Sequence, residues 1–192
     1  MTAKADRPYD IVVYGATGYT GRLVAEYLAH HYQGKGPKWA MAGRSAAKLA
    51  EVRDLIGAPA DTPLITANSD DPASMQALAE STRVVVTTVG PYQLYGEPLL
   101  KACVEAGTDY ADLCGEPAWM RQMVDQYHEA AKASGARIAF SSGFDSMRRD
   151  RRGERLAREA EERAHAAEVR AAHAEGAAEA LSPPQPLPRR RR

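Results

Sequence analysis

The chain has 192 residues, 44% hydrophobic and 26% charged, with 25 basic and 25 acidic residues and a formal net charge of zero. This composition excludes wholesale disorder and collagen-like or fibrous structure, and the length suits one full domain, or one domain with an appendage. No apolar run approaches the roughly 18–20 residues a membrane helix needs, the N-terminus has no apolar signal core, and two cysteines, Cys103 and Cys114, make neither a disulfide framework nor a four-cysteine zinc site.

Strand-like and helix-like patterns alternate from the start. Tyr9–Tyr14 is a short apolar run ending at Gly15, as in a buried strand. Thr20–Tyr32 follows with Leu23, Val24, Tyr27 and Leu28 at helical spacing. Lys38–Ala42 reads as a second strand. Ser45 is a cap for a second helix carrying Leu49, Val52 and Ile56 on one face. Pro63–Ala67 is a third strand. Asp71-Pro72 pairs a cap with a proline at the first helical position, ahead of Met75, Leu78 and Ala79.

Arg83–Val89 is rich in β-branched residues and apolar enough to be central. Glu97-Pro98 is expected to open the next helix, with Leu99, Leu100, Cys103 and Val104 inward and Gly107 as its stop. Tyr110–Asp112 is a brief strand. Pro117 starts a long helix bearing Trp119, Met120, Met123, Val124, Tyr127 and Ala131, closed by Gly135; Arg137–Ser141 is a sixth strand. Repeated strand–helix alternation predicts an α/β fold, a doubly wound, mostly parallel Rossmann sheet.

Charge usage changes after Ser146. Residues 1–146 hold 13 Lys and Arg against 17 Asp and Glu, whereas residues 147–192 hold 12 Arg, no Lys and 8 acidic residues. The later stretch lacks an apolar stripe and ends in a proline-rich run and four arginines. It is read as a poorly packed, solvated helical and disordered tail without its own core, appended to a domain spanning 1–146.

Three motifs carry chemistry. Gly15-Ala-Thr17-Gly18-Tyr19-Thr20-Gly21 sits at the first strand-to-helix junction. Gly15 permits a sharp turn, Gly18 a close approach of diphosphate, and Gly21 close helix packing, while free N–H groups near Tyr19 and Thr20 face the phosphates. The spacing is G-x-x-G-x-x-G, and dinucleotide binding explains the threonines and the three glycines together. Second, Gly43-Arg44-Ser45 follows the second strand, where an NAD-specific domain would carry an acid. The Arg44 guanidinium suits a 2′-phosphate, Ser45 adds a donor, and Lys48 lies one turn on, so the expected cofactor is NADP(H). Third, Val89-Gly90-Pro91 follows the fourth strand, where the nicotinamide half would lie. Tyr92 and Tyr95 beyond it either face substrate or fill core and rim.

Absences narrow the chemistry. The sequence has no Tyr-x-x-x-Lys pair, no phosphate loop ending in Gly-Lys-Ser/Thr and no Gly-x-Ser-x-Gly elbow. Its five histidines lack metal-ligand company, so no metal is expected, and no residue is identified as catalytic. Cys103 reads as helix core and Cys114 as a loop thiol.

The glycine loop, Ala42-Gly-Arg44, Gly90–Gly96, Cys103–Tyr110, Asp112-Leu-Cys-Gly-Glu116 and Gly143-Phe-Asp-Ser146 occur in this order. Together they resemble the NADP-binding N-terminal domain of saccharopine dehydrogenase-like oxidoreductases, in the actinobacterial branch with trans-acting enoyl reductases of polyketide-lipid synthesis. The resemblance covers residues 9–146. It implies cofactor roles for the glycine loop, Arg44 and the Val89–Pro91 loop. It also implies that Asp109-Tyr110 and Gly115-Glu116 shape the region next to the nicotinamide. It further implies hydride transfer to an enoyl group of a small or lipid-like substrate, a cytoplasmic setting with peripheral membrane association left open, and a homo-oligomer in the full-length family.

The resemblance also implies a second, substrate-binding domain after Ser146. Residues 147–192 depart from it, and their bulk of Arg, Ala, Gly and Pro with loss of Lys, Ile, Tyr and Phe fits a reading-frame change in a GC-rich gene. The chain is therefore expected to be truncated. The alternative is a non-catalytic NADP-binding or redox-sensing module. A nucleic-acid or acidic-membrane role for the arginine tail is disfavoured, because acidic residues are interspersed and no aromatic platform accompanies them; no specific nucleic acid is expected.

Overall fold

The β-branched and apolar residues of β1 (Tyr9–Tyr14), β2 (Trp39–Gly43), β3 (Leu64–Thr66), β4 (Thr82–Thr87), β5 (Asp109–Asp112) and β6 (Ile138–Ala139) form one sheet in the order β3-β2-β1-β4-β5-β6. Every pairing is parallel. The structure, a computed structural model, describes residues 4–32 and 36–143. The expected tail at 147–192 and all but Gly143 of the Gly143–Ser146 motif lie outside the described residues.

Five helices link the strands: α1 (Tyr19–His31), α2 (Ala46–Leu55), α3 (Pro72–Glu80), α4 (Tyr92–Ala106) and α5 (Pro117–Ser134). One core layer joins Val13 and Met41 of the sheet to Ala25 and Leu28 of α1 and Leu49 of α2. The other joins Val12, Tyr14 and Val85 to Met75 and Leu78 of α3, Leu99 and Cys103 of α4, and Trp119 and Met123 of α5. Alternate residues of β1 thus enter opposite layers, as the pleat requires. Burying each large apolar side chain contributes ~1.5–3 kcal/mol.

The strand order reverses direction at β1 and β4. The C-terminal ends of these two strands, in register at Tyr14 and Thr87, therefore flank the crevice where ligands bind in such sheets.

Small residues set the buried face of α1, and the expected start of α4 needs correction. On α1 the buried residues are Gly21, Ala25, Leu28 and Ala29, whereas Leu23 and Tyr27 are 44% and 55% exposed. Small residues let this helix sit close to the sheet, and the larger apolar ones are turned outward. Helix α4 begins at Tyr92, not at Glu97, and Pro98 lies inside it. Gly96 is then a helical residue. A Cβ there would meet Trp119 at 2.7 Å, so the glycine admits the indole between α4 and α5.

Candidate functional site

Gly15 turns the chain out of β1 with φ +91°, and a Cβ there would lie 2.7 Å from Val89 Cγ2 and 2.8 Å from Thr88 Oγ1. At Gly21 a Cβ would lie 2.1 Å from the Gly15 carbonyl oxygen. The first turn of α1 therefore packs directly on the loop backbone. Gly18 is the N-cap, its N–H donates to the Gly15 carbonyl at 2.9 Å, and no side chain caps the helix.

The other helix starts differ. Ser45 Oγ accepts from Lys48 N–H at 3.3 Å, and Asp71 Oδ1 accepts from Ala73 N–H at 3.0 Å. Glu116 takes two N–H groups of α4 with its carboxylate, from Tyr92 at 2.8 Å and Gln93 at 2.9 Å. Helix α5 starts with Pro117, which has no N–H to offer. Among the described helices, α1 thus combines an uncapped start with a full set of first-turn N–H donors. A helix start leaves such donors, and the positive end of the macrodipole, to an outside acceptor. Thr17 is half-buried at this junction, whereas Gly18, Tyr19 and Thr20 are exposed.

The second motif comes close to the first. Thr17 Oγ1 lies 3.8 Å from where a Cβ on Gly43 would sit. Arg44 is exposed and makes no side-chain hydrogen bond or ion pair among the described residues. Arg44 lines a cleft of about 120 Å³ with Tyr14, Ser69, Val89, Gly90 and Tyr95. Ser45, beside it, is engaged as a cap through an oxygen lone pair, which leaves its O–H to donate.

The third motif closes the same region. Thr88 N–H donates to the Tyr14 carbonyl at 3.0 Å, which seats the loop against β1. The Gly90–Pro91 bond is cis. Tyr92 is buried, with its hydroxyl donating to the Thr87 carbonyl at 3.2 Å and its ring 5.6 Å from that of Trp119; burial pushes its pKa up. Of the two tyrosines left open by the sequence, Tyr92 is core and Tyr95 is at the rim of the cleft.

Asp112, at the crevice end of β5, is 3% exposed. Its Oδ1 accepts from Cys114 N–H at 3.0 Å and Ser141 N–H at 2.8 Å, and its Oδ2 accepts from Tyr110 O–H at 2.9 Å. Burial raises its pKa despite these bonds. Asp109 stands at the other end of the strand, about 10 Å away by strand rise, where Arg137 and Lys4 bind it. The expectation that Asp109 borders the nicotinamide region is therefore corrected: it belongs to the opposite edge of the sheet. Tyr110 is buried between the two. Cys103 is core as expected, and Cys114, expected as a loop thiol, is 2% exposed. No group of three or more potential metal ligands occurs among the described residues.

The fold thus gathers Gly15, Thr17, Gly18, Gly21, Arg44, Ser45, Val89, Gly90 and Pro91 at one edge of the sheet, with Tyr19 and Thr20 on the exposed first turn of α1. Tyr95, left open by the sequence, joins them, as do Tyr14 and Ser69, which the sequence did not single out. Tyr14 directly precedes the glycine loop, and Ser69 follows β3 at the crevice edge, which is the signal that placed them there.

The chain matches the saccharopine dehydrogenase NADP-binding domain family over residues 11–138. A Mycobacterium tuberculosis protein provisionally named a trans-acting enoyl reductase is 52% identical over 151 residues, covering 78% of this chain and 35% of that protein. A trans-acting enoyl reductase of Mycobacterium bovis is 50% identical over 147 residues, covering 76% and 35%. Among solved structures, apo saccharopine dehydrogenase (L-Glu forming) from Saccharomyces cerevisiae shares the fold with a TM-score of 0.57 at 16% identity, covering 71% of this chain and 28% of that one. The chain spans about a third of the length of the mycobacterial relatives it matches.

Proposed function

The chain belongs to the saccharopine dehydrogenase NADP-binding domain family, and from that premise we propose that it is the NADP(H)-binding part of an oxidoreductase that reduces an activated carbon–carbon double bond of an enoyl substrate. The observation that carries this reading is the convergence of the uncapped start of α1 with the unpaired Arg44 at one sheet edge. The donor set fits the cofactor, since backbone N–H groups, two hydroxyls and a guanidinium lie at this edge, and Gly15 and Gly21 let the loop, α1 and the Thr88–Val89 segment pack tightly there.

In this reading the N–H groups of Tyr19, Thr20 and Gly21, with the Thr17 hydroxyl, hold the diphosphate. Arg44 and Ser45 hold the 2′-phosphate, by forked charge-assisted donation from the guanidinium and by the free O–H. Val89, Gly90 and Pro91 flank the nicotinamide half. NADPH, when bound, supplies a hydride to the double bond. The residues of this chain bind and orient it, and the buried aromatic wall of Tyr92 and Trp119 stiffens the loop behind it. Substrate binding is assigned to the length of the relatives that this chain does not span. The enoyl group and a role in lipid biosynthesis are carried over from the relatives' names. A cytoplasmic setting and a homo-oligomeric whole protein complete the proposal. No helix among the described residues is long and apolar enough to cross a membrane.

A second reading, a non-catalytic NADP(H)-binding or redox-sensing module, needs only the glycine loop and Arg44. One experiment separates the two. The chain, joined to the remaining length of a mycobacterial relative, is incubated with NADPH and an α,β-unsaturated acyl thioester, and saturated product is measured by mass spectrometry beside cofactor binding. Turnover supports the reductase. Binding without turnover supports the module. Absence of binding contradicts both.

A further inference from the structure

The stretch from Gly90 to Tyr95 borders the cleft, and apart from the buried Tyr92 it is exposed. Gly90, Pro91 and Gln93 are exposed, and Leu94 and Tyr95 are 68% and 38% exposed. Its N-cap, Pro91, has no side-chain group able to accept a hydrogen bond. Both first-turn N–H groups of α4 that have a side-chain acceptor find it on Glu116, 24 and 23 residues along the chain. Glu116 is itself fixed. It is the N-cap of α5, its carbonyl accepts from Met120 N–H at 3.0 Å, and its N–H donates to Cys114 Sγ at 3.4 Å. Cys114 is in turn tied through its N–H to the buried Asp112. A negative carboxylate at the positive end of α4 is also favourable in its own right.

We propose that Glu116 is a positioning residue for the nicotinamide half of the site: by accepting hydrogen bonds from the N–H groups of Tyr92 and Gln93, it fixes where α4 begins and so sets Val89, Gly90 and Tyr95 against the cleft opposite Arg44. The inference rests on the NADP(H) reading of that cleft. Its consequence is a division within the site. Arg44 and the α1 start bind the phosphates independently of Glu116, whereas the placement of the nicotinamide half depends on it. The carboxylate has a second effect. It fills the start of α4 with negative charge, which leaves the α1 start as the place for a diphosphate.

The fold does not hang on Glu116 alone. Tyr92 keeps its hydroxyl bond to Thr87 and its packing on Trp119 without the carboxylate. The Glu116→Ala chain is therefore expected to fold with a loosened 90–95 stretch. Glu116→Gln retains one acceptor oxygen and is expected to fall between the two.

The test compares two probes on the full chain, NADPH and adenosine 2′,5′-bisphosphate, which lacks the nicotinamide half. The wild type, Glu116→Gln and Glu116→Ala are titrated with each, and the emission of bound NADPH is recorded. The expected result is a graded loss of NADPH affinity, about ten-fold for Glu116→Ala on the scale of a displaced binding group. The emission of bound NADPH should shift in parallel, and affinity for the bisphosphate should stay within about two-fold. Unchanged NADPH affinity and emission in Glu116→Ala overturns the proposal. An equal loss for both probes, with a lowered urea midpoint, also overturns it, because that is the signature of a merely structural residue. A wild type that binds neither probe overturns the NADP(H) reading itself, and the positioning role with it.

Discussion

The Gly15 carbonyl oxygen and the Gly21 α-carbon are packed so closely that a Cβ on Gly21 would sit 2.1 Å from that oxygen. No side-chain rearrangement relieves a clash with backbone. Gly21→Ala is therefore expected to push α1 off the loop, at a cost of about 1–3 kcal/mol or more. The urea midpoint should fall, and nucleotide affinity should fall further because the first-turn N–H groups move. A Gly21→Ala chain with wild-type midpoint and affinity contradicts this packing.

Asp109 gives a pH dependence with a definite sign. Burial would raise its pKa, but hydrogen bonds from Arg137 and Lys4 outweigh that and hold the carboxyl below its ordinary range. A depressed folded value means stabilisation that is present above the unfolded carboxylate pKa of about 3.9 and is lost as pH falls through the folded value. Asp112, raised by burial, works in the other direction. It opposes folding as pH rises through its folded value. Comparing urea midpoints of wild type and Asp109→Asn between about pH 2 and pH 7 checks this. The gap is expected to be widest near neutrality and to close in acid, and a gap independent of pH contradicts it.

Tyr92 supports the cleft from inside the core. Its hydroxyl donates to the Thr87 carbonyl, at the end of the central strand β4, and accepts from Leu113 N–H at 3.4 Å. Tyr92→Phe keeps the ring on Trp119 and removes these bonds. The expected cost is about 0.5–1.5 kcal/mol in urea unfolding. Tyr92→Ala also removes the aromatic packing and is expected to cost about 3–5 kcal/mol. Equal effects of the two substitutions contradict the assignment.

Much of this arrangement was legible in the sequence, and the failures have physical causes. The apolar run at Tyr9–Tyr14, the Ser45 and Asp71 caps and the β-branched β4 declare themselves locally, because strand burial and capping are decided by neighbouring residues. The start of α4 does not. Its capping group is Glu116, far along the chain, so Tyr92–Gly96 reads locally as a loop and Pro98 reads as a helix opening. Apolar spacing alone does not set the inward face of α1, because close approach to the sheet selects Gly21, Ala25 and Ala29 over Leu23 and Tyr27. The resemblance sets Asp109 beside the nicotinamide region, and strand direction sends it to the end of β5 opposite Asp112. Tyr14, Ser69 and Tyr95 meet Arg44 only through the strand order.

The proposed 2′-phosphate site at this edge of the sheet is centred on Arg44. Its most direct test is calorimetric titration of the chain with NADPH and NADH, beside Arg44→Asp. A lost pair of charge-assisted hydrogen bonds is worth about 1.5–3 kcal/mol each, so the wild type is expected to prefer NADPH by at least about ten-fold. Arg44→Asp should lose that preference by weakening NADPH, with NADH binding retained or improved through the ribose hydroxyls. Equal affinity of the wild type for the two nucleotides, or an undiminished NADPH preference in Arg44→Asp, contradicts the claim.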